Sequence, residues 1–103
     1  MNRATVIRTA QQYARIVEKE LKPVAILLYG SYAKDAAGTD SDIDIAVIFN
    51  GFNGNWLETS SYLWKLRRGI SDDIEPILLD LAQDPSGFAA DIFNTGEILY
   101  SAG

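Results

Sequence analysis

The chain has 103 residues, 48% of them hydrophobic and 22% charged, which is typical of one folded domain spanning residues 1–103. It contains neither cysteine nor histidine, so disulfides, cysteine zinc sites and Ser–His or Cys–His hydrolases are excluded. A net charge of −5 argues against binding nucleic acid by charge alone, but it is compatible with a nucleotide bound through a metal ion.

The N-terminus has no signal-peptide pattern, and no apolar run is long enough to span a bilayer. Together with the absence of cysteine, this predicts a cytoplasmic protein with no membrane partner.

The first half of the chain predicts a helix followed by two strands. Apolar residues recur at helical spacing and predict a helix over residues 4–20, which ends before Pro23. The continuous apolar run 24–29 predicts a buried strand, and a short helix is expected over residues 32–37. Residues 42–49 are rich in β-branched side chains and predict a second strand.

The next segment predicts a helix and a third strand. Asn55 and Glu58 have the spacing of an N-cap and its capping-box partner, at the start of a helix that runs to about residue 68. A strand is expected over residues 73–79. Pro76 lies inside that strand, which favours a sheet edge or a bulge.

The last segment predicts a helix and a short strand. Asp84 and Pro85 are expected to be the N-cap and first residue of a helix that ends near residues 94–96, followed by a strand over residues 97–100. The alternation of elements predicts an α/β (α+β) fold, with a small mixed sheet of three to four strands flanked by helices.

Three or four acidic residues are expected to meet at one end of this sheet. Asp42 and Asp44 lie two apart and face the same way, as do Asp73 and Glu75 in the next strand. The helical crossover between the two strands predicts a parallel pair, with the strands about 4.8 Å apart. Unit charges about 5 Å apart repel by roughly 3 kcal/mol at an effective dielectric near 20, so these carboxyls either hold protons or bind a hard dication. All-oxygen ligation suits Mg²⁺ or Mn²⁺.

Gly30 and Ser31 follow the first predicted strand and are separated from Asp42 by ten residues. Glycine lets the backbone approach a ligand, and the helix start beyond it, with the Ser31 hydroxyl, favours a phosphate. If the first two strands are antiparallel neighbours, this turn and the carboxylates share one end of the sheet. A phosphate site facing a metal site indicates phosphoryl or nucleotidyl transfer.

Each of these residues also has a purely structural interpretation. Ser31 alone is more often a helix N-cap, and Asp42 alone more often belongs to a polar turn before a strand. Asp44 favours the functional interpretation, because a lone aspartate inside an apolar strand is costly to bury. Between Asp73 and Glu75 the choice stays open.

The pattern Gly30-Ser31-x10-Asp42-x-Asp44 resembles the signature of the polymerase-β-like nucleotidyltransferase superfamily. The size and order of elements resemble its minimal (MNT) members. The resemblance implies the nucleotidyltransferase fold, in which Gly30 and Ser31 hold the triphosphate of ATP and Asp42 and Asp44 are the catalytic metal ligands. Lys34 stands where the family usually has a basic residue, and is expected to approach a phosphate.

The resemblance also implies a third catalytic carboxylate, which ligates Mg²⁺ or Mn²⁺ and helps to activate the attacking hydroxyl. Asp73 is the first choice for this role and Glu75 is the second.

Minimal members are often the antitoxin half of HEPN–MNT toxin–antitoxin pairs. The resemblance therefore implies a hetero-oligomer in which AMP is moved from ATP to a hydroxyl of a HEPN-domain partner. The alternative is a catalytically weak nucleotide-binding module that neutralises the HEPN toxin by direct binding. A surplus of aromatic residues favours this alternative, since Trp56, Tyr62 and Trp64 lie on one predicted helix but not on one of its faces. Nucleic acid is disfavoured as a substrate by the acidic charge.

Overall fold

The computed structural model describes residues 2–30 and 42–102, which form three helices and four strands. In chain order these are α1 (Arg3–Leu21), β1 (Ala25–Tyr29), β2 (Ile43–Phe49), α2 (Trp56–Leu66), β3 (Ile74–Asp80), α3 (Phe88–Thr95) and β4 (Glu97–Ser101). The expected α/β (α+β) class with a small mixed sheet is confirmed. The short helix predicted over residues 32–37 lies outside the described residues.

The sheet has the strand order β3-β2-β1-β4. β1 is antiparallel to both β2 and β4, whereas β2 and β3 are parallel, as the helical crossover predicts. β3 is therefore an edge strand, and its Pro76 lies opposite Ile45 of β2. An edge strand tolerates proline because one side of its backbone has no ladder partner to lose.

The two faces of the sheet are covered unequally. α1 and α2 bury one face in the larger core, whose fully buried members include Tyr13 of α1, Ile45 of β2 and Leu63 of α2. The opposite face packs against the eight-residue α3, mainly through Ile92. The larger core fixes the position of the strands. On the opposite face of the sheet, the short α3 leaves part of the strands uncovered.

The ends of two helices test the capping predictions. The Asn55 side chain accepts a hydrogen bond of 2.9 Å from the backbone N–H of Glu58, which confirms the predicted cap of α2. α3 begins at Phe88, later than predicted, after Gly87 in the left-handed conformation. The Asp84 carboxylate still accepts from the first-turn amides of α3, at 2.9 and 3.0 Å, so it satisfies them from outside the helix.

No helix in the described part of the chain combines the length and apolar character needed to cross a membrane.

Candidate active site

Three side chains form a row across one end of the sheet. Tyr29 of β1 lies opposite Asp44 of β2, and Asp44 lies opposite Glu75 of β3. Residues directly opposite in a ladder project to the same face. Their chain neighbours Ile43, Ile45 and Ile74 are buried on the α1–α2 side, so the row lies on the face that α3 partly covers.

Asp42 joins this row through Glu75. A hydrogen bond to the Asp42 carboxyl raises the pKa of Glu75, and burial and the charges of Asp42 and Asp44 raise it further. Burial, and then the charge of Asp42, raises the pKa of Asp44. Burial together with Asp44 and Glu75 raises the pKa of Tyr29 to about 12. The fold thus forces negative charges together, as the sequence predicts for this end of the sheet.

Gly30 fixes the turn against the same carboxylates. Its φ of 74° is left-handed, a conformation that glycine adopts without strain. A Cβ built on Gly30 would overlap with Oδ2 of Asp44 and lie 3.3 Å from its Cγ. The backbone at the end of β1 therefore packs directly on the Asp44 side chain, and the turn and the carboxylates share one end of the sheet.

Asp73 and Glu75 are placed differently by the register. Asp73 is exposed and precedes β3, and its backbone carbonyl accepts a hydrogen bond of 2.8 Å from the N–H of Ile43. Its own N–H donates to Oγ of Ser71 at 3.1 Å. Asp73 thus joins β2 through its backbone, whereas Glu75 contacts Asp42 through its carboxyl. The geometry thus places Glu75, the second choice from the sequence, with Asp42 and Asp44, and the role of third carboxylate stays a prediction.

Arg67 is a neighbour of the site that sequence reasoning missed. Its guanidinium donates to the carbonyl oxygens of Asp72 and, at 3.4 Å, of Ile74, and lies 4.7 Å from the centroid of the Trp64 ring. Its positive charge opposes the rise in the pKa of Glu75. From the sequence it belongs to a run of cations at an exposed helix end. The turn that follows α2 brings it to the entrance of β3.

The predicted phosphate-binding residues Ser31 and Lys34 lie outside the described residues, and their roles stay predictions.

The donor set fits a hard dication by its chemistry. Within residues 2–30 and 42–102, no three side chains of the metal-ligating types are already arranged around a common point. The Asp42 and Glu75 carboxyls interact with each other, which raises the pKa of Glu75. Oxygen-only ligands suit Mg²⁺ or Mn²⁺, and a dication would offset the repulsion between these carboxyls.

The family model for "Polymerase beta, Nucleotidyltransferase" matches residues 11–103. The chain belongs to the polymerase β nucleotidyltransferase family. This membership confirms the resemblance that the Gly-Ser and Asp-x-Asp spacing indicates. No curated protein is similar enough in sequence to be matched.

Two solved structures share the fold of this polymerase β nucleotidyltransferase chain. A candidate nucleotidyltransferase from Sulfolobus solfataricus superposes with a TM-score of 0.72 at 19% identity, over 97% of this chain and 84% of the other. A toxin–antitoxin structure with AMP-PNP superposes with a TM-score of 0.59 at 23% identity, over 89% of this chain and 73% of the other. At these identities the likeness is one of fold, and it confirms the nucleotidyltransferase fold.

Proposed function

We propose that this domain is a Mg²⁺-dependent nucleotidyltransferase that binds ATP between the Gly30 turn and the carboxylates of Asp42, Asp44 and Glu75. The packing of Gly30 on Asp44, in one row with Glu75, is the observation that carries the proposal. It leaves a backbone turn and an acidic cluster facing the same space. When bound there, Mg²⁺ or Mn²⁺ supplies the positive charge that offsets both the carboxylates and the triphosphate.

The reaction that we propose for this arrangement is nucleotidyl transfer to a hydroxyl. The oxygen of an acceptor hydroxyl attacks the α-phosphorus of ATP, the bond from that phosphorus to the bridging oxygen breaks, and pyrophosphate leaves. Asp42, Asp44 and Glu75 would hold the dication, and through it the triphosphate would be oriented for in-line attack. Glu75, at the edge-strand end of the row, is the group we assign to accept the proton of the hydroxyl, with Asp73 as the competing residue.

The acceptor that we propose is a side-chain hydroxyl of a HEPN-domain toxin, with this chain as its antitoxin. The Gly-Ser and Asp-x-Asp motif supports this assignment. So does the fold shared with a toxin–antitoxin structure that contains AMP-PNP.

A second candidate is neutralisation of that toxin by direct binding. Its support is the apolar surface of α2, where Leu57 is 75% exposed and Trp56 and Trp64 are 44% and 41% exposed. Large apolar side chains grouped on one helix are typical of a surface that meets a protein partner.

Label transfer from α-labelled ATP separates the two candidates. The chain is incubated with Mg²⁺, the labelled ATP and the protein encoded by the adjacent reading frame. If the domain modifies its partner enzymatically, the partner becomes labelled. The amount of label should fall by roughly a hundredfold or more with Asp42→Asn, because a metal ligand contributes several kcal/mol. Glu18→Gln, on α1 and away from the carboxylates, is the matched control that keeps transfer.

Neutralisation that persists in Asp42→Asn, without any label on the partner, would replace the enzyme with the binding module. Loss of label in Glu18→Gln as well would show that the assay reports general damage to the fold.

A further inference from the structure

An aromatic pair borders the carboxylate row on its β1 side. Tyr29 immediately precedes Gly30, and its ring packs on that of Phe88 in an edge-to-face arrangement, with the ring centroids 6.2 Å apart and the planes at 85°. Phe88 is the first residue of α3 and is 44% exposed. Tyr29 thus supports a phenyl ring that keeps a substantial open surface.

Tyr29 links this ring to the carboxylates. It lies opposite Asp44 on the adjacent strand, and its ring centroid is 6.2 Å from that of Phe88. Residues opposite each other in a ladder project to the same face, so the aromatic pair and the Asp44 carboxylate are neighbours on one face of the sheet. In a nucleoside triphosphate, the ribose carries the base beyond the α-phosphate, so phosphates at the carboxylates would place a base in the neighbourhood of this pair.

We propose that Phe88, held by Tyr29, is the stacking contact for the base of the bound nucleotide. This inference rests on the proposed function, because it takes the triphosphate to lie at the carboxylates. Stacking needs only a planar π-face, which every base has. The site therefore accepts all bases and prefers purines, since they present the larger ring surface.

Calorimetric titration with two probes separates the base from the triphosphate. Mg²⁺ with AMP-PNP carries a base, and Mg²⁺ with inorganic tripolyphosphate does not. We expect Phe88→Ala to weaken AMP-PNP binding by roughly five- to a hundredfold, the range for losing one stacked aromatic, and to leave tripolyphosphate binding unchanged. Phe88→Trp, which keeps an aromatic face, should restore AMP-PNP affinity.

Phe93→Ala is the matched control. Phe93 lies on the same helix and is 42% exposed, but it borders a different cavity, lined by Val24, Leu81 and Ala102. Removing the Phe93 ring should change neither the affinity for AMP-PNP nor that for tripolyphosphate. Tripolyphosphate binding by Phe88→Ala also reports that the variant is folded.

Three results would overturn the stacking contact. Equal AMP-PNP affinity in Phe88→Ala and wild type would show that the ring does not touch the base. Equal weakening of both probes would show that Phe88 acts on the fold or on the triphosphate. In both cases the proposed function survives. If the wild type binds neither probe, the stacking contact and the proposed function fail together.

Discussion

Replacing Glu75 with glutamine is expected to lower Mg²⁺-dependent nucleotidyl transfer by roughly a hundredfold or more, whereas Asp73→Asn should change it little. The reason is the register of β2 and β3, which sets Glu75 opposite Asp44, where its carboxyl also interacts with that of Asp42. Glutamine keeps the size of the side chain but supplies one oxygen instead of a carboxylate. It can neither bind a dication as strongly nor accept the proton of the attacking hydroxyl.

The two variants control for each other, because each removes one negative charge from the entrance of β3. Single-turnover transfer from ATP, at several Mg²⁺ concentrations, measures the chemistry and the apparent metal affinity together. Thermal unfolding in the absence of Mg²⁺ should show Glu75→Gln at least as stable as the wild type, because a repulsive charge is gone. Full activity in Glu75→Gln with a large loss in Asp73→Asn would reverse the assignment.

Substitution of Gly30 by alanine has the second-largest expected effect. An L-residue at a φ of 74° costs about 1–2 kcal/mol, and here the added methyl group also overlaps with the Asp44 carboxylate. Either the turn or Asp44 must move. We expect a lower melting temperature together with a loss of Mg·AMP-PNP binding of roughly a hundredfold.

Gly51→Ala separates the two parts of this effect. Gly51 has a similar φ of 89°, but no atom lies within 4 Å of the Cβ that alanine would add. Gly51→Ala should be destabilised by about the same backbone strain as Gly30→Ala, and its affinity for the nucleotide should be unchanged. If Gly30→Ala binds Mg·AMP-PNP as tightly as Gly51→Ala does, the contact between the turn and Asp44 has no part in binding.

Local sequence patterns were enough to predict most of the elements. Helical spacing of apolar residues predicts α1, the Asn55 cap predicts the start of α2, and Pro76 predicts the edge position of β3. Each of these signals acts within a few residues of chain. The parallel pairing of β2 and β3 also follows, because the helix between them returns the chain to the end of the sheet at which β2 begins.

The sequence could not choose between Asp73 and Glu75, because alternation places both on one face of a strand. The choice depends on where β3 begins and on its register with β2, which long-range pairing sets. Arg67 was missed for the same reason, since only the path of the turn after α2 brings its charge near Glu75. The later start of α3 depends on Gly87 adopting a left-handed conformation. Ser31 and Lys34 stay predictions from the motif.

Thermal unfolding with and without Mg·AMP-PNP tests most directly whether the crowded carboxylates form a dication and nucleotide site. A ligand at 100 times its Kd adds about 2.7 kcal/mol, which raises Tm by roughly 10 °C or more in a domain of this size. The wild type should show this shift, and Asp44→Asn should not.

Without ligand, Asp44→Asn should melt at a higher temperature than the wild type at neutral pH. Burial and Asp42 raise the folded-state pKa of Asp44, so its contribution to stability is present below its usual pKa and lost as the pH rises through the folded value. Asparagine does not ionise, so the variant does not lose this stability at neutral pH. We therefore expect Asp44→Asn to be stabilised and no longer to respond to Mg·AMP-PNP. A wild-type Tm unchanged by saturating Mg·AMP-PNP would show that the carboxylates form no such site.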